Sequence, residues 1–290
     1  MVAVAEAELY LPSSLQDALR VLADGGGAAV PLAGATWAMR AVLRGEELAA
    51  RYVALSGLDE LRTVEVAADG SLAIGACVTH ARLGEAVADQ PNLRGLHDAA
   101  TKAANAAVRE AATVGGNLSV AAFPAADLVP ALLCLDAEVE LARPDGNERV
   151  SLERFLQLRS ELAPGTVLAR VHVPAGRLRT AHARLPLRVA GDYPVAIVSV
   201  ALDVAADGTV ARAAVAVGSV EAVARRWPEL EAELVGKPVG AEAAAVAAKA
   251  LSATFHGREG IEAPGWYRVS VLPTLVRRAL TALSGQEGNQ

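Results

Sequence analysis

Thr113-Val114-Gly115-Gly116-Asn117-Leu118, followed by Pro124-Ala125-Ala126-Asp127 and the apolar run from Leu128 to Leu135, is the stretch on which the reading of this chain turns. Two adjacent glycines between a β-branched pair and a helix-like run suit a backbone that turns tightly and offers N–H groups to an anion. A phosphate is the natural ligand, although Gly-Gly also makes ordinary connections. Upstream, Pro31-Leu32-Ala33-Gly34-Ala35-Thr36-Trp37 places a second small-residue loop directly after a strand-like run. Two such loops closing on one ligand fit a diphosphate.

The chain is 290 residues long, 53% hydrophobic and 21% charged, enough for one large or two modest packed domains and against disorder. A net charge of −6 with no Lys or Arg run argues against nucleic acid or an anionic membrane surface as partner. The pairs Arg225-Arg226 and Arg277-Arg278 read as solvated faces. No apolar stretch approaches the ~18 residues of a membrane span, and the first residues lack the basic region of a signal peptide, so a cytoplasmic protein is expected. Cys77 and Cys134 lie far apart in apolar sequence and read as free buried thiols; no C-x-x-C suggests a cluster. His80, His97, His172, His182 and His256 show no metal-binding spacing.

Taken in order, Leu9-Tyr10-Leu11 reads as a strand. A helix capped by Ser13 or Ser14 and carrying Leu15, Ala18, Leu19 and Leu22 on one face follows, then strands at 28–32 and 52–55. This β–α–β order delivers Gly34 to Thr36 at the carboxyl end of a parallel strand, where ligands sit in open sheets. From Arg62 the pattern becomes antiparallel: hairpins at Asp69-Gly70 and Asp145-Gly146 and a strand at 167–173, with helices expected over 79–88, 93–108 and from Pro124. After Pro174, three strands joined partly through Asp207-Gly208 form a meander, and Ala- and Leu-rich helices complete the chain to a frayed tail from Ser284. The expected layout is two subdomains, about 1–60 and 61–175, followed by a smaller unit over 176–290.

Several motifs in order resemble the FAD-binding subunit of the molybdenum hydroxylases, the group of carbon monoxide dehydrogenase and xanthine dehydrogenase. They are Ala33-Gly34-Ala35-Thr36; Thr113 to Leu118 with Pro124-x-x-Asp127; Gly191-Asp192-Tyr193-Pro194-Val195-Ala196; Ala216-Val217-Gly218-Ser219-Val220; and Tyr267-Arg268 with 275–280. The resemblance covers nearly the whole chain. It implies an α+β fold: a two-subdomain FAD-binding domain of PCMH/VAO-like type, then a smaller domain with a three-stranded antiparallel sheet and helices.

The resemblance also implies FAD as cofactor. It assigns the grip on the pyrophosphate to Ala33, Gly34, Ala35, Thr36 and Trp37 and to Thr113, Gly115, Gly116 and Asn117. Backbone N–H groups in these loops suit a phosphate without Lys or Arg, which fits a chain with three lysines. Asp127 matches the family's acceptor for FAD hydroxyls, or else is an acid at a helix start. Leu162, Arg184 and Tyr193 fall where relatives approach the isoalloxazine, with packing or domain contact as the alternative for each. Three departures stand out: Trp37 in place of a short polar residue, Glu110 in place of Asn, and one extra residue between Asn117 and Pro124.

No nucleophile–base or paired-carboxylate pattern points to chemistry by the protein itself, so the flavin is expected to supply it. The resemblance implies an electron-transfer subunit that works with an iron–sulfur small subunit and a molybdopterin large subunit and reduces a terminal acceptor. Two other readings stay open: a stand-alone FAD dehydrogenase or oxidase acting on a small molecule, and a flavin-free scaffold.

Overall fold

The computed structural model describes residues 7–187 and 193–284. At the N-terminus β1 (Glu8–Tyr10), α1 (Leu15–Asp24), β2 (Ala29–Leu32) and β3 (Arg51–Ala54) build a three-stranded parallel sheet in the order β1-β3-β2. Ser14 starts α1 by accepting from the Asp17 N–H at 3.1 Å, and the helical spacing that follows buries Ala18, Leu19, Val21 and Leu22 against the sheet. This is the β–α–β unit legible in the sequence.

The second unit contains β4 (Val64–Val66), β5 (Leu72–Gly75), α2 (His80–Ala86), α3 (Arg94–Lys102), α4 (Ala106–Ala111), α5 (Val114–Ser119), α6 (Leu128–Cys134), β6 (Glu138–Arg143), β7 (Gly146–Ser151), α7 (Leu152–Leu158) and β8 (Val167–Val173). Its strands form an antiparallel sheet in the order β4-β5-β8-β6-β7. The hairpins turn at Asp69-Gly70 and Asp145-Gly146 as the turn chemistry requires, with φ of 84° and 140° at the glycines.

The helix expected over 93–108 is instead two helices. Ala104 adopts φ 46°, and the Asn105 side chain caps α4 by accepting from the Val108 N–H at 3.0 Å. A capping Asn competes with helix continuation, and alanine composition alone hides that. The helix expected from Pro124 begins at Leu128, and α7 was not anticipated from the sequence.

The C-terminal unit has β9 (Arg179–Pro186), β10 (Pro194–Val204), β11 (Val210–Gly218), β12 (Arg225–Arg226), α8 (Pro228–Leu234), α9 (Ala241–Leu251), α10 (Gly265–Ser270) and α11 (Leu272–Ser284). The meander β9-β10-β11 is as expected, and the two-residue β12 adds a fourth strand at its edge. Pro194 to Leu202 are buried without alternation because both faces of the sheet are covered. Trp227, Leu230, Leu275, Val276 and Leu280 pack on one side, while Ala201, Ala214 and Ala216 on the other belong to the core formed with α3 and α6. Gly191 and Asp192 of the expected motif lie outside the described residues.

Candidate functional site

The two glycine loops meet, and they do so through backbone. A β-carbon on Gly34 would lie 1.7 Å from the Ala111 carbonyl oxygen, so the first loop passes directly against the end of α4. Ala35 there adopts φ 57°, an unusual conformation for a residue with a side chain. The N–H groups of Gly34, Ala35, Thr36 and Trp37 donate to no acceptor among the described residues. Four free donors in a tight turn form a concavity suited to an anion.

The second loop is used differently. Thr113 is the N-cap of α5, its hydroxyl accepting from the Gly116 N–H at 3.2 Å, and Gly115 and Gly116 lie in the first turn of that helix rather than in a free turn. The Val114 N–H donates to Val78, the Gly115 N–H to Ala76 at 2.7 Å, and the Asn117 N–H to Thr113. The expectation that these N–H groups satisfy a pyrophosphate is therefore corrected, because the fold itself consumes them. Gly115 is needed for another reason: a β-carbon on it would meet the Ala76 β-carbon at 2.7 Å and the Ala76 oxygen at 2.9 Å.

Between the loops lies a cleft of about 420 Å³. Of the residues the sequence pointed to, Ala33, Gly34, Ala35, Thr36, Trp37, Thr113, Gly116, Asn117, Asp127, Arg184 and Tyr193 line it. Gly115 does not, being buried in α5 with its α-carbon turned against Ala76. Leu162 is also elsewhere, half-buried against the core of the second unit. Glu110 lies away from the cleft, at the surface with Arg62 and Arg82, so that departure from the family pattern does not touch the site.

Asp127 is buried at the start of α6 but makes no capping bond. Its carboxylate instead accepts from Arg184 Nε at 2.9 Å and lies 3.3 Å from His182 Nε2. His182 Nδ1 is in turn 2.9 Å from Ser199 Oγ. Ser199 and His182 sit on β10 and β9, so the C-terminal sheet reaches through its inner face to hold a carboxylate of the neighbouring unit. Although Ser, His and Asp are aligned, Ser199 is only 1% exposed, so the chain is a support for Asp127 and not a nucleophilic triad. A buried carboxylate needs such partners.

Trp37 faces Phe123 at 5.3 Å between ring centroids, and Phe123 faces Tyr193 edge-on at 5.2 Å. Arg44 lies over the Trp37 ring at 3.9 Å, and Arg40 Nη1 donates to the Tyr193 hydroxyl at 2.6 Å. The three rings and Arg40 line the cleft. Phe123 was missed in the sequence; its only signal is the extra length between Asn117 and Pro124. His80 was missed as well. It is the first residue of α2, 3% exposed, and burial pulls its pKa down to about 4, so it is neutral at pH 7.

Comparison with known proteins agrees with this layout. The FAD binding domain of molybdopterin dehydrogenases matches residues 5–176, and the carbon monoxide dehydrogenase flavoprotein C-terminal domain matches residues 183–283. The chain belongs to the molybdenum hydroxylase FAD-binding family. FAD is its cofactor, and FAD-dependent oxidoreduction is its class. Subunit alpha of the 6-hydroxypseudooxynicotine dehydrogenase complex of Paenarthrobacter nicotinovorans is 29% identical over 94% of this chain and 93% of its own length. The carbon monoxide dehydrogenase medium chain of Hydrogenophaga pseudoflava is 26% identical over 95% and 96%. A chain of quinoline 2-oxidoreductase from Pseudomonas putida 86 superposes with a TM-score of 0.86 at 28% identity, covering 97% of this chain and 98% of that one.

The cleft fits the cofactor on its own chemistry. Free backbone donors at one edge suit a diphosphate, while Asn117 Oδ1 and His80 Nε2, both buried without a partner among the described residues, offer acceptors to a hydroxyl-bearing ligand. Among the described residues no group of His, Cys, Asp and Glu is placed to hold a metal ion, and no helix is long and apolar enough to cross a membrane. Cys77 and Cys134 are both buried and free.

Proposed function

We propose that this chain is the electron-transfer flavoprotein of a molybdenum hydroxylase-type complex, receiving electrons from iron–sulfur clusters of a separate small subunit and passing them to a small-molecule acceptor, beside a molybdopterin large subunit. The observation that carries the reading is the cleft between the Gly34 loop and α5, shaped for a dinucleotide in a chain whose two cysteines are too few for a four-cysteine cluster. Bound FAD supplies hydride and single-electron chemistry.

The remaining work falls to named residues. Ala33 to Trp37 bind the diphosphate through backbone N–H groups; Thr113, Gly116 and Asn117 shape the opposite wall. Asp127 accepts from cofactor hydroxyls, held by Arg184 and His182. Trp37, Phe123 and Tyr193 exclude water from the mouth. Residues 1–175 form the FAD-binding part, in subdomains divided near residue 60, and 176–290 a second domain that positions Asp127 from behind. The protein works in the cytoplasm.

The test is co-expression with the genes beside it. Recovery of a complex containing iron and molybdenum, whose substrate reduces the flavin of this chain, is the expected result. Oxidation of a small molecule by the isolated flavoprotein at a comparable rate would replace the reading with that of a stand-alone dehydrogenase.

A further inference from the structure

His80 and Asn117 stand on two helices whose starts are tied together. Thr79 caps α2, Thr113 caps α5, and the two threonines pair in an isolated β-bridge, while the His80 N–H donates to Ala112 at 2.9 Å. Each helix therefore projects a side chain into the cleft from a backbone that cannot shift independently. His80 Nε2 and Asn117 Oδ1 are both buried, and neither has a hydrogen-bond partner among the described residues. A buried polar atom left unpaired is costly and seldom kept without a use. Two in one wall of one cleft point to a ligand that donates to both.

We propose that His80 Nε2 and Asn117 Oδ1 form an acceptor pair for hydroxyl groups of the bound FAD, which makes His80 a cofactor-binding residue rather than a packed core histidine. The proposal rests on the reading that the cleft takes the FAD. Its chemistry requires a neutral imidazole with a lone pair at Nε2, and the surroundings provide one. Burial is the largest influence on the ring and disfavours its charged form; Arg109 acts in the same direction, and Asp127 and a backbone hydrogen bond at Ala100 oppose it without prevailing. With Ala100 engaging the protonated nitrogen, Nε2 remains an acceptor. FAD carries suitable donors on its ribityl chain and on its ribose.

The experiment titrates FAD into the full-length apoprotein and follows flavin fluorescence together with the emission of Trp37, isolated by difference from Trp37→Phe. His80→Leu is expected to weaken FAD binding at least tenfold while the apoprotein melts at the wild-type temperature or above. His80→Gln, which restores an acceptor, should recover most of the affinity. FAD analogues lacking the ribityl or the ribose hydroxyls identify the donor, since one of the two should no longer distinguish wild type from His80→Leu. Should His80→Leu fail to fold, the wild-type protein still decides: FAD should move the His80 Nε2 resonance upfield as that nitrogen accepts a hydrogen bond. Unchanged affinity in His80→Leu, equal losses in Leu and Gln variants, or an unmoved resonance would overturn the proposal. FAD binding without quenching of Trp37 would instead reject the cleft, whereas quenching with wild-type affinity in His80→Leu rejects the acceptor pair alone.

Discussion

Gly34 lies so close to Ala111 that a β-carbon on it would sit 1.7 Å from the Ala111 carbonyl oxygen and 2.7 Å from the carbonyl carbon. The obstacle is backbone at the end of α4, which cannot rotate aside as a flexible side chain would. The same closeness joins the parallel-sheet unit to the helices of the second unit and sets the width of the cleft. Gly34→Ala should therefore destabilise the apoprotein by about 1–3 kcal/mol or more, as overpacking does, and lower its flavin content. Calorimetric melting and the flavin absorbance of the purified variant test this; a wild-type melting temperature with full flavin would remove Gly34 from its structural role.

Gly115 and Gly116 are adjacent but should separate cleanly. A methyl on Gly115 collides with Ala76, so Gly115→Ala should lower apoprotein stability by roughly 1–3 kcal/mol. A methyl on Gly116 meets only the Thr113 hydroxyl, at 3.0 Å, and gains up to about 1 kcal/mol of helix propensity. Because Gly116 lines the cleft, its loss should appear in FAD affinity instead. Melting curves and FAD titrations of the two variants should rank them in opposite orders.

The contrast shows what the sequence could reveal. Gly-Gly before an apolar run led to a cleft that eleven of the thirteen candidate residues line, because the motif order is tied to chain topology. The use of each N–H was not legible: whether Gly115 donates to a ligand or to Ala76 depends on a strand end nearly forty residues upstream. His80 escaped because a lone histidine in the first turn of a helix has no pattern until its neighbours are packed around it. Likewise, the break at Ala104 depends on a single capping Asn inside alanine-rich sequence, where propensity favours one continuous helix. Leu162 was suggested by the resemblance alone and carries no spacing signal that ties it to either loop.

Trp37 is the departure from the family pattern that lies at the site. It packs on Phe123 and under Arg44, and it lines the cleft. Since it is only half-buried, Trp37→Ser should cost less than a full core truncation, about 1–2 kcal/mol. A double-mutant cycle with Phe123→Leu should give a coupling of about 0.5–1.5 kcal/mol, the usual range for aromatic pairs. Denaturant unfolding of the four proteins measures it. Additive effects would mean that the rings touch without supporting each other.

Asp127 is a buried carboxylate of the second unit held by two side chains of the C-terminal unit. Asp127→Asn keeps its size but leaves Arg184 and His182 facing a neutral amide in a buried setting. The loss should be roughly 2–4 kcal/mol, below the worst cases for a broken buried pair because Arg184 also donates to the Lys102 carbonyl at 3.0 Å. FAD affinity should fall in parallel. Ser199→Ala, two steps away, should have a smaller effect of the same sign on both quantities.

His80 also predicts how the apoprotein responds to acid. Its pKa falls from 6.5 in an unfolded chain to about 4 in the fold, with Asp127 and Arg109 the charged groups that act on it. A depressed value means that the unfolded state takes up the proton first. Below pH 6.5 protonation therefore favours unfolding, and the penalty grows until the folded form titrates near pH 4. At about 1.4 kcal/mol per tenfold change in proton affinity, the full loss is roughly 3 kcal/mol, all of it absent above pH 6.5. Unfolding free energies between pH 7.5 and 4, measured with and without His80→Leu, isolate this contribution. The variant should lose distinctly less stability than wild type across that window, while the two run parallel above it; parallel curves throughout would mean that His80 remains accessible to protons in the folded state.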